Sequence, residues 1–340
     1  MGKPLALPPP YLVAYSGGAD STALLLRAIE AAPGQVSAVH VHHGLQDAAD
    51  DFAAHCQAFC AQRGVPLTIL KIDARAEAGQ SPEDAARRAR YAAISGYVLE
   101  HFRAPGLTEP AQSATESVAT APLILLAQHA DDQVETLLLA LSRGAGVDGL
   151  AGMAAQFERF GLRWARPFLM PEHVMGAQQI RQALSAQGLQ ARQPGEPGLG
   201  QGWVEDPTNQ SLDFTRNRIR AHLLPAIETV FPHYRDTFAR SARNMAQASV
   251  VIAQDAINLV ATVGMPPQIK ALQTLSRERQ TNYLRHWLKT THQATGSAAQ
   301  MNELLDQIEA CTTRGHQIHI KLAQGFVRRD GLALRFDASA

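Results

Sequence analysis

The chain has 340 residues, 46% hydrophobic and 18% charged, with a formal net charge of zero, which excludes a fully disordered chain and suits about two domains of roughly 150 residues. The charge is uneven: residues 213–340 carry a net +6 and residues 1–212 a net −6, so the C-terminal part is the candidate for contact with a polyanion. The longest purely apolar runs, Leu123–Ala127 and Leu137–Leu141, are too short to cross a bilayer, three consecutive prolines interrupt the N-terminal stretch, and three cysteines make no disulfide framework. The expectation is a cytoplasmic protein without a membrane partner.

In chain order, Tyr11–Tyr15 reads as a buried strand and Asp20–Ala32 as a helix, followed by a strand at Val36–Val41, a helix at Asp47–Arg63 and a strand at Leu67–Ile72. Ser81-Pro82-Glu83-Asp84 combines a capping serine, a proline at the first helical position and acids in the first turn, so a helix should run from there to about Phe102. Leu123–Ala127 is a fourth strand, with a helix from Asp131 to Ser142. Such alternation predicts an α/β fold, a doubly wound parallel sheet with helices on both faces, in a first domain over residues 1–212. Two stretches, 104–121 and 191–202, are rich in Pro, Gly, Ser or Ala and read as flexible insertions. From 213 the pattern turns to long helical stretches at 215–230, 234–263, 276–290 and 298–311, then strands at Gln317–Lys321 and Phe326–Phe336, the latter turning at Asp330-Gly331. Residues 213–340 therefore read as a smaller, basic, mostly helical domain.

The residues with chemical potential cluster in the first domain. Ser16-Gly17-Gly18-Ala19-Asp20-Ser21 sits between the first strand and its helix. Two glycines permit close backbone approach, and the helix start offers free N–H groups to an anion. An ordinary strand–helix turn would use the same residue types. Asp132 and Glu135 lie three apart on a helix and share a face, with His129 and Asp131 beside them; Arg87 and Arg90 share another face. Arg216, Asn217, Arg218 and Arg220 crowd the start of the basic half. Cys56 and Cys60 are one helical turn apart but lack a second ligand pair.

Eight linked blocks carry a family resemblance. Ser16–Ser21 resembles the SGGxDS loop of the N-type ATP pyrophosphatases, the PP-loop superfamily, whose fold is adenine nucleotide α-hydrolase-like. His40-Val41-His42-His43-Gly44-Leu45, Ala86-Arg87-Arg88-Ala89-Arg90-Tyr91 and His129-Ala130-Asp131-Asp132-Gln133-Val134-Glu135-Thr136 resemble one branch of it. Arg143-Gly144-Ala145-Gly146 through Met153, Arg166-Pro167, Glu205-Asp206-Pro207-Thr208-Asn209 and Arg216-Asn217-Arg218-Ile219-Arg220 complete the match, which is to the tRNA(Ile)-lysidine synthetases. The resemblance implies an enzyme that uses ATP and magnesium to adenylate C2 of the wobble cytidine in a CAU anticodon and then joins L-lysine there. It implies ATP on Ser16, Gly17, Gly18, Ala19, Asp20 and Ser21 with Arg87 and Arg90, and magnesium on Asp20. Asp20, His129, Asp132 and Glu135 would be catalytic, with lysine on Asp132 and Glu135, and tRNA on Arg216, Asn217, Arg218 and Arg220. A homodimer is left open. Another ATP pyrophosphatase, such as a tRNA cytidine thiolase, and a non-catalytic nucleotide- or RNA-binding module are the alternatives.

Overall fold

The computed structural model describes residues 5–42, 49–72, 82–102, 121–313 and 315–338. The insertion expected at 104–121 (all but Ala121), the end of the histidine run at His43-Gly44-Leu45 and the capping Ser81 lie outside the described residues. Two compact units, Met1–Arg243 and Asn244–Ala340, divide the chain.

In the first unit the strands β1 (Tyr11–Ala14), β2 (Val36–His42), β3 (Leu67–Lys71) and β4 (Leu123–Leu125) alternate with helices α1 (Ala19–Ala31), α2 (Ala49–Ala61) and α3 (Pro82–His101); α4 (Ala130–Ser142) follows β4. Side chains of a strand alternate between faces, and here both faces are covered. Tyr11, Val13 and Tyr15 join Leu24, Leu25 and Phe59 in one core. Leu12 joins Val39, Ile94, Ile124 and Trp164 in the other. After a short helix α5 (Val147–Leu150), strands β5 (Gln156–Arg159) and β6 (Leu162–Ala165) complete a sheet of order β3-β2-β1-β4-β6-β5. All neighbours are parallel except the β5–β6 hairpin. That edge hairpin is absent from the sequence reading. Its two-residue turn, Phe160-Gly161, places both residues at positive φ (54° and 70°), and a phenylalanine in the left-handed region gives no Asn-Gly or Asp-Gly cue. Strand addition reverses direction between β3 and β4, so a crevice opens at the carboxyl ends of β1 and β4.

The stretch 191–202 is pinned rather than loose. After α6 (Ala177–Ser185), β7 (Gln190–Arg192) and β8 (Gly202–Val204) pair in parallel. Arg192 is buried and grips Asp51 of α2 with both terminal nitrogens, at 2.8 and 3.0 Å. The His55 ring accepts from Gly200 N and donates to Gly202 O, both at 3.2 Å. Gly202 is obligatory, because a Cβ there would lie 1.9 Å from Gln190 O. Flexible-looking composition reported the glycines that this close approach requires.

The rest of the first unit is helical: α7 (Thr215–Arg218), a π-helical turn at Ile219–Leu223, α8 (Leu224–Val230) and the start of α9 (Tyr234–Val263). The helix expected at 215–230 is thus interrupted by the π turn. The division between units falls within α9, past the change of sequence character at 212, because Asn217, Tyr234 and Arg235 bond residues of the first unit. By length and composition α9 is also long and apolar enough to cross a membrane, with a mean hydropathy of 1.3 over its most apolar 18 residues. It contains no long unbroken apolar run because polar residues such as Ser249, Gln254, Asp255 and Asn258 interrupt the sequence.

The second unit holds α10 (Ile269–Leu272), α11 (Arg277–His292), α12 (Ala298–Ala310) and an antiparallel sheet of order β11 (Ala333–Ala338), β10 (Gly325–Asp330), β9 (His319–Leu322). Ser276 and Ser297 cap α11 and α12. Trp287, Leu304, Ile308, Val327 and Leu334 form its core. Arg329 is a brace here, donating to the carbonyls of Thr313, His316 and Gly331.

Replacing Arg192 by Met removes a buried, doubly bonded partner of Asp51. We expect Arg192→Met to lower stability by about 2–4 kcal/mol, read from the shift in the denaturation midpoint.

Candidate active site

The turn after β1 is built for close approach. Gly17 has φ +86°, and a Cβ on it would lie 3.1 Å from Cys56 Sγ, so both conformation and space favour glycine. Ser16 and Ser21 close the loop on themselves: Ser16 N donates to Ser21 Oγ at 3.2 Å, and the hydroxyls are 3.0 Å apart. His40 donates from Nδ1 to Tyr15 O at 2.9 Å, so this histidine of the sequence run supports the loop from beneath. Val204 N donates to Gly17 O at 2.9 Å, which fastens β8 to the same turn.

Above the turn lies a cleft of about 540 Å³. Ser16, Gly18, Ala19, Asp20 and Ser21 line one side, Gln128 and Asp132 another, and Glu205, Asp206 and Asn209 a third. Phe52, Val39 and Ile94 add an apolar wall. Arg90 lines the cleft, whereas Arg87 does not and instead lies 5.9 Å from the centre of the Tyr91 ring. Arg181, unremarked in the sequence reading, also lines the cleft. Its Nε donates to Glu205 Oε1 at 3.3 Å, an oxygen that also accepts from Trp203 Nε1 at 2.7 Å.

The start of α4 is dense in charge. Asp132 accepts from His129 N at 3.0 Å and so caps its own helix. The buried His129 ring has Nε2 3.6 Å from Asp20 Oδ2 and 3.5 Å from Asp132 Oδ2, and Nδ1 3.9 Å from Asp131 Oδ2. Burial opposes charge on this ring, but Asp132, Asp20 and Asp131 outweigh it and push its pKa up to about 9. Burial likewise raises the Asp20 carboxyl, yet the His129 partnership prevails and holds it below the ordinary aspartate range.

Glu135 is fully buried and faces two guanidiniums: Arg220 donates from Nε and Nη2, and Arg216 from Nη1 at 3.3 Å. Arg220 Nη2 also reaches Asp132 Oδ1 at 2.9 Å. Burial pushes the Glu135 carboxyl up, and Arg220 pulls it back. Asp131 accepts from Ala177 N at 2.8 Å, Tyr234 Oη at 3.1 Å and Arg235 Nε at 2.6 Å, joining three helices. Gln133 clamps Met153 through both amide atoms, at 2.8 and 3.2 Å.

Of the residues read from the sequence, Ser16, Gly18, Ala19, Asp20, Ser21, Arg90 and Asp132 therefore line one cleft, and His129 stands buried behind the lining, against Asp20 and Asp132. Glu135 presents no surface to a ligand in this arrangement. Arg216 and Arg220 turn inward onto it, and Asn217 is buried, donating to Thr208 O and Ser211 O at 2.9 and 2.8 Å. Of the basic run at 216–220, Arg218 and Arg220 both keep exposed surface, but Arg218 bonds no carboxylate among the described residues and donates to Thr215 Oγ1 at 2.9 Å. Tyr234 and Arg235, distant in sequence, carried no local signal for their bonds to Asp131.

For magnesium, the fit rests on Asp20: its Oδ1 is buried and has no hydrogen-bond partner among the described residues. Among the described residues no group of three or more His, Cys, Asp or Glu is placed to hold a metal alone. A single carboxylate supplemented by phosphate oxygens and water is the usual magnesium environment, and Asp20 fits it.

The charge on His129 makes stability depend on pH. Because its folded pKa lies above the ordinary 6.5, the stabilisation is complete below pH 6.5 and is lost as pH rises through about 9. Thermal melts from pH 6 to pH 9.5 should fall more steeply for the wild type than for His129→Gln, the difference between the two isolating this ring.

A PP-loop domain model matches residues 8–105 and 112–227, and a TilS substrate binding domain model matches residues 268–333. The chain is 52% identical to a tRNA(Ile)-lysidine synthase of Polaromonas naphthalenivorans, over 97% of this chain and 90% of that protein. It is 35% identical to the tRNA(Ile)-lysidine synthase of Bordetella pertussis, over 91% and 89%. The U34-tRNA thiolase NcsA from Methanococcus maripaludis shares the fold, with a TM-score of 0.51 at 12% identity over 70% of this chain and 72% of that one. The glycine turn, the acidic start of α4 and these two domain matches agree: the chain belongs to the tRNA(Ile)-lysidine synthase family of PP-loop proteins.

Proposed function

We propose that this chain joins L-lysine to C2 of the cytidine at position 34 of a tRNA(Ile) with a CAU anticodon, using ATP. The observation that carries the proposal is one cleft in which the Ser16–Ser21 turn meets the acidic start of α4 through His129. The turn suits a polyphosphate, and the carboxylate side suits an amine. Two half-reactions need that proximity.

The chemistry follows from the leaving group. A pyrimidine carbonyl oxygen departs poorly, so attack by O2 on the α-phosphate of ATP first makes it an adenylate and releases pyrophosphate. The ε-amine of lysine then adds at C2, and AMP departs. Free N–H groups of the glycine turn, the Ser16 and Ser21 hydroxyls and Arg90 hold the phosphates. Magnesium, when bound at Asp20, would offset phosphate charge. Asp132 keeps some exposed surface, 17% of its side chain, and receives the lysine ammonium or takes its proton. Glu135 acts from behind by fixing Arg216 and Arg220. The net-positive C-terminal part and exposed Arg218 meet tRNA phosphates.

A thiolase is disfavoured by a specific observation. All three cysteines are buried, and burial pushes the Cys56 and Cys60 thiols above their ordinary range, which suits packing rather than sulfur transfer.

Incubation with ATP, lysine and tRNA(Ile) should yield a lysine-modified cytidine at position 34 by nucleoside mass analysis; an unmodified nucleoside overturns the proposal. Asp20→Asn should abolish pyrophosphate release while leaving the fold intact. Asp132→Asn should raise KM for lysine about 10- to 150-fold, the worth of one charge-assisted hydrogen bond, with little change in KM for ATP.

A further inference from the structure

We propose that Gln128 is a nucleotide-contacting residue of the cleft, and that buried Arg166 sets which way its amide faces. The inference rests on reading the cleft as an ATP site. Arg166 belongs to the Arg166-Pro167 block, and the proposed chemistry gives that block no task. Its guanidinium is buried yet lies against neutral groups: Nε donates to Gln128 Oε1 at 3.0 Å, Nη1 to Ala154 O at 2.6 Å and Nη2 to Tyr91 Oη at 3.0 Å. The guanidinium carbon lies 4.2 Å from the centre of the Phe157 ring. Taking a cation out of water is costly, so an arrangement that meets its donors with neutral acceptors has a purpose beyond charge neutralisation.

That purpose is orientation. Guanidinium is donor-only, so the Gln128 atom that faces it must be the carbonyl oxygen. The amide could otherwise rotate by half a turn and exchange donor for acceptor. With the oxygen held by Arg166, the NH2 group is the polar end left to the cleft that Gln128 lines. Gln128 immediately precedes His129, whose ring is 3.6 Å from Asp20, so the donor stands beside the glycine turn. A fixed N–H pair there matches an acceptor oxygen of the bound adenine nucleotide. Arg166 thereby ties together Tyr91, the end of one sequence block, and Gln128, the residue just before another.

Gln128→Glu keeps size and still accepts from Arg166, but offers the cleft an acceptor in place of a donor. Equilibrium binding of ATP to the full chain should weaken about 10- to 100-fold, and KM for ATP should rise in step, with unchanged melting temperature and KM for lysine. Unchanged ATP affinity overturns the proposal, as does a raised KM for lysine alone. Arg166→Lys retains the charge but cannot serve all three acceptors together. If Arg166 acts through Gln128, its effect on ATP binding should largely vanish in the Gln128→Glu background; additive losses would overturn the positioning role. ATP binding does not require lysidine formation, so failure here is distinguishable from failure of the proposed reaction, which the wild-type nucleoside assay reads.

Discussion

Four carboxylates lie within a short reach of one another at the carboxyl edge of the sheet, and the site depends on how their charge is balanced. Asp20, Asp131, Asp132 and Glu135 would repel one another and resist burial unless cations accompanied them. His129 serves Asp20 and Asp132, Arg220 serves Asp132 and Glu135, Arg216 serves Glu135, and Arg235 serves Asp131. The balance explains why residues 213–243 belong with the first unit. A basic segment packs where an acidic helix start requires it.

The balance also divides labour within one helix. Asp131 and Glu135 are saturated by protein donors and hold α4, α6 and the π-helical turn in register. Asp20 keeps a buried oxygen without a partner among the described residues, and Asp132 keeps some exposed surface. Identical functional groups therefore differ in availability because neighbours differ, the same logic by which environment separates the roles of paired acids in other sites. The sheet supplies the rigid frame: β1 and β4 are parallel neighbours, so the glycine turn after one and the acidic helix after the other meet at the same edge.

A second device is the support beneath the cleft. His40 under Tyr15, β8 fastened to Gly17, and Arg192 anchored on Asp51 hold the glycine turn from three directions. Each uses a buried polar contact, so each is more sensitive to substitution than an apolar contact of equal area. Rigidity below the turn leaves its backbone N–H groups preorganised.

The sequence alone determined much of this. Strand–helix alternation gave the parallel sheet, because the apolar period separates buried strands from helices facing them. The Ser16–Ser21 turn was legible from its place between a strand and a helix and from the blocks linked to it, since its residue types alone also suit an ordinary turn. The pairing of Asp132 and Glu135 on one face followed from helical spacing. Tertiary structure decided what spacing cannot encode. Glu135 is occupied by arginines 81 and 85 positions away, Asp131 by residues more than 100 positions away, and the Pro/Gly stretch at 191–202 is held by Asp51 and His55. Local patterns report only neighbours along the chain, whereas whether a charged side chain meets a ligand or a protein partner depends on which distant group arrives beside it when the chain folds.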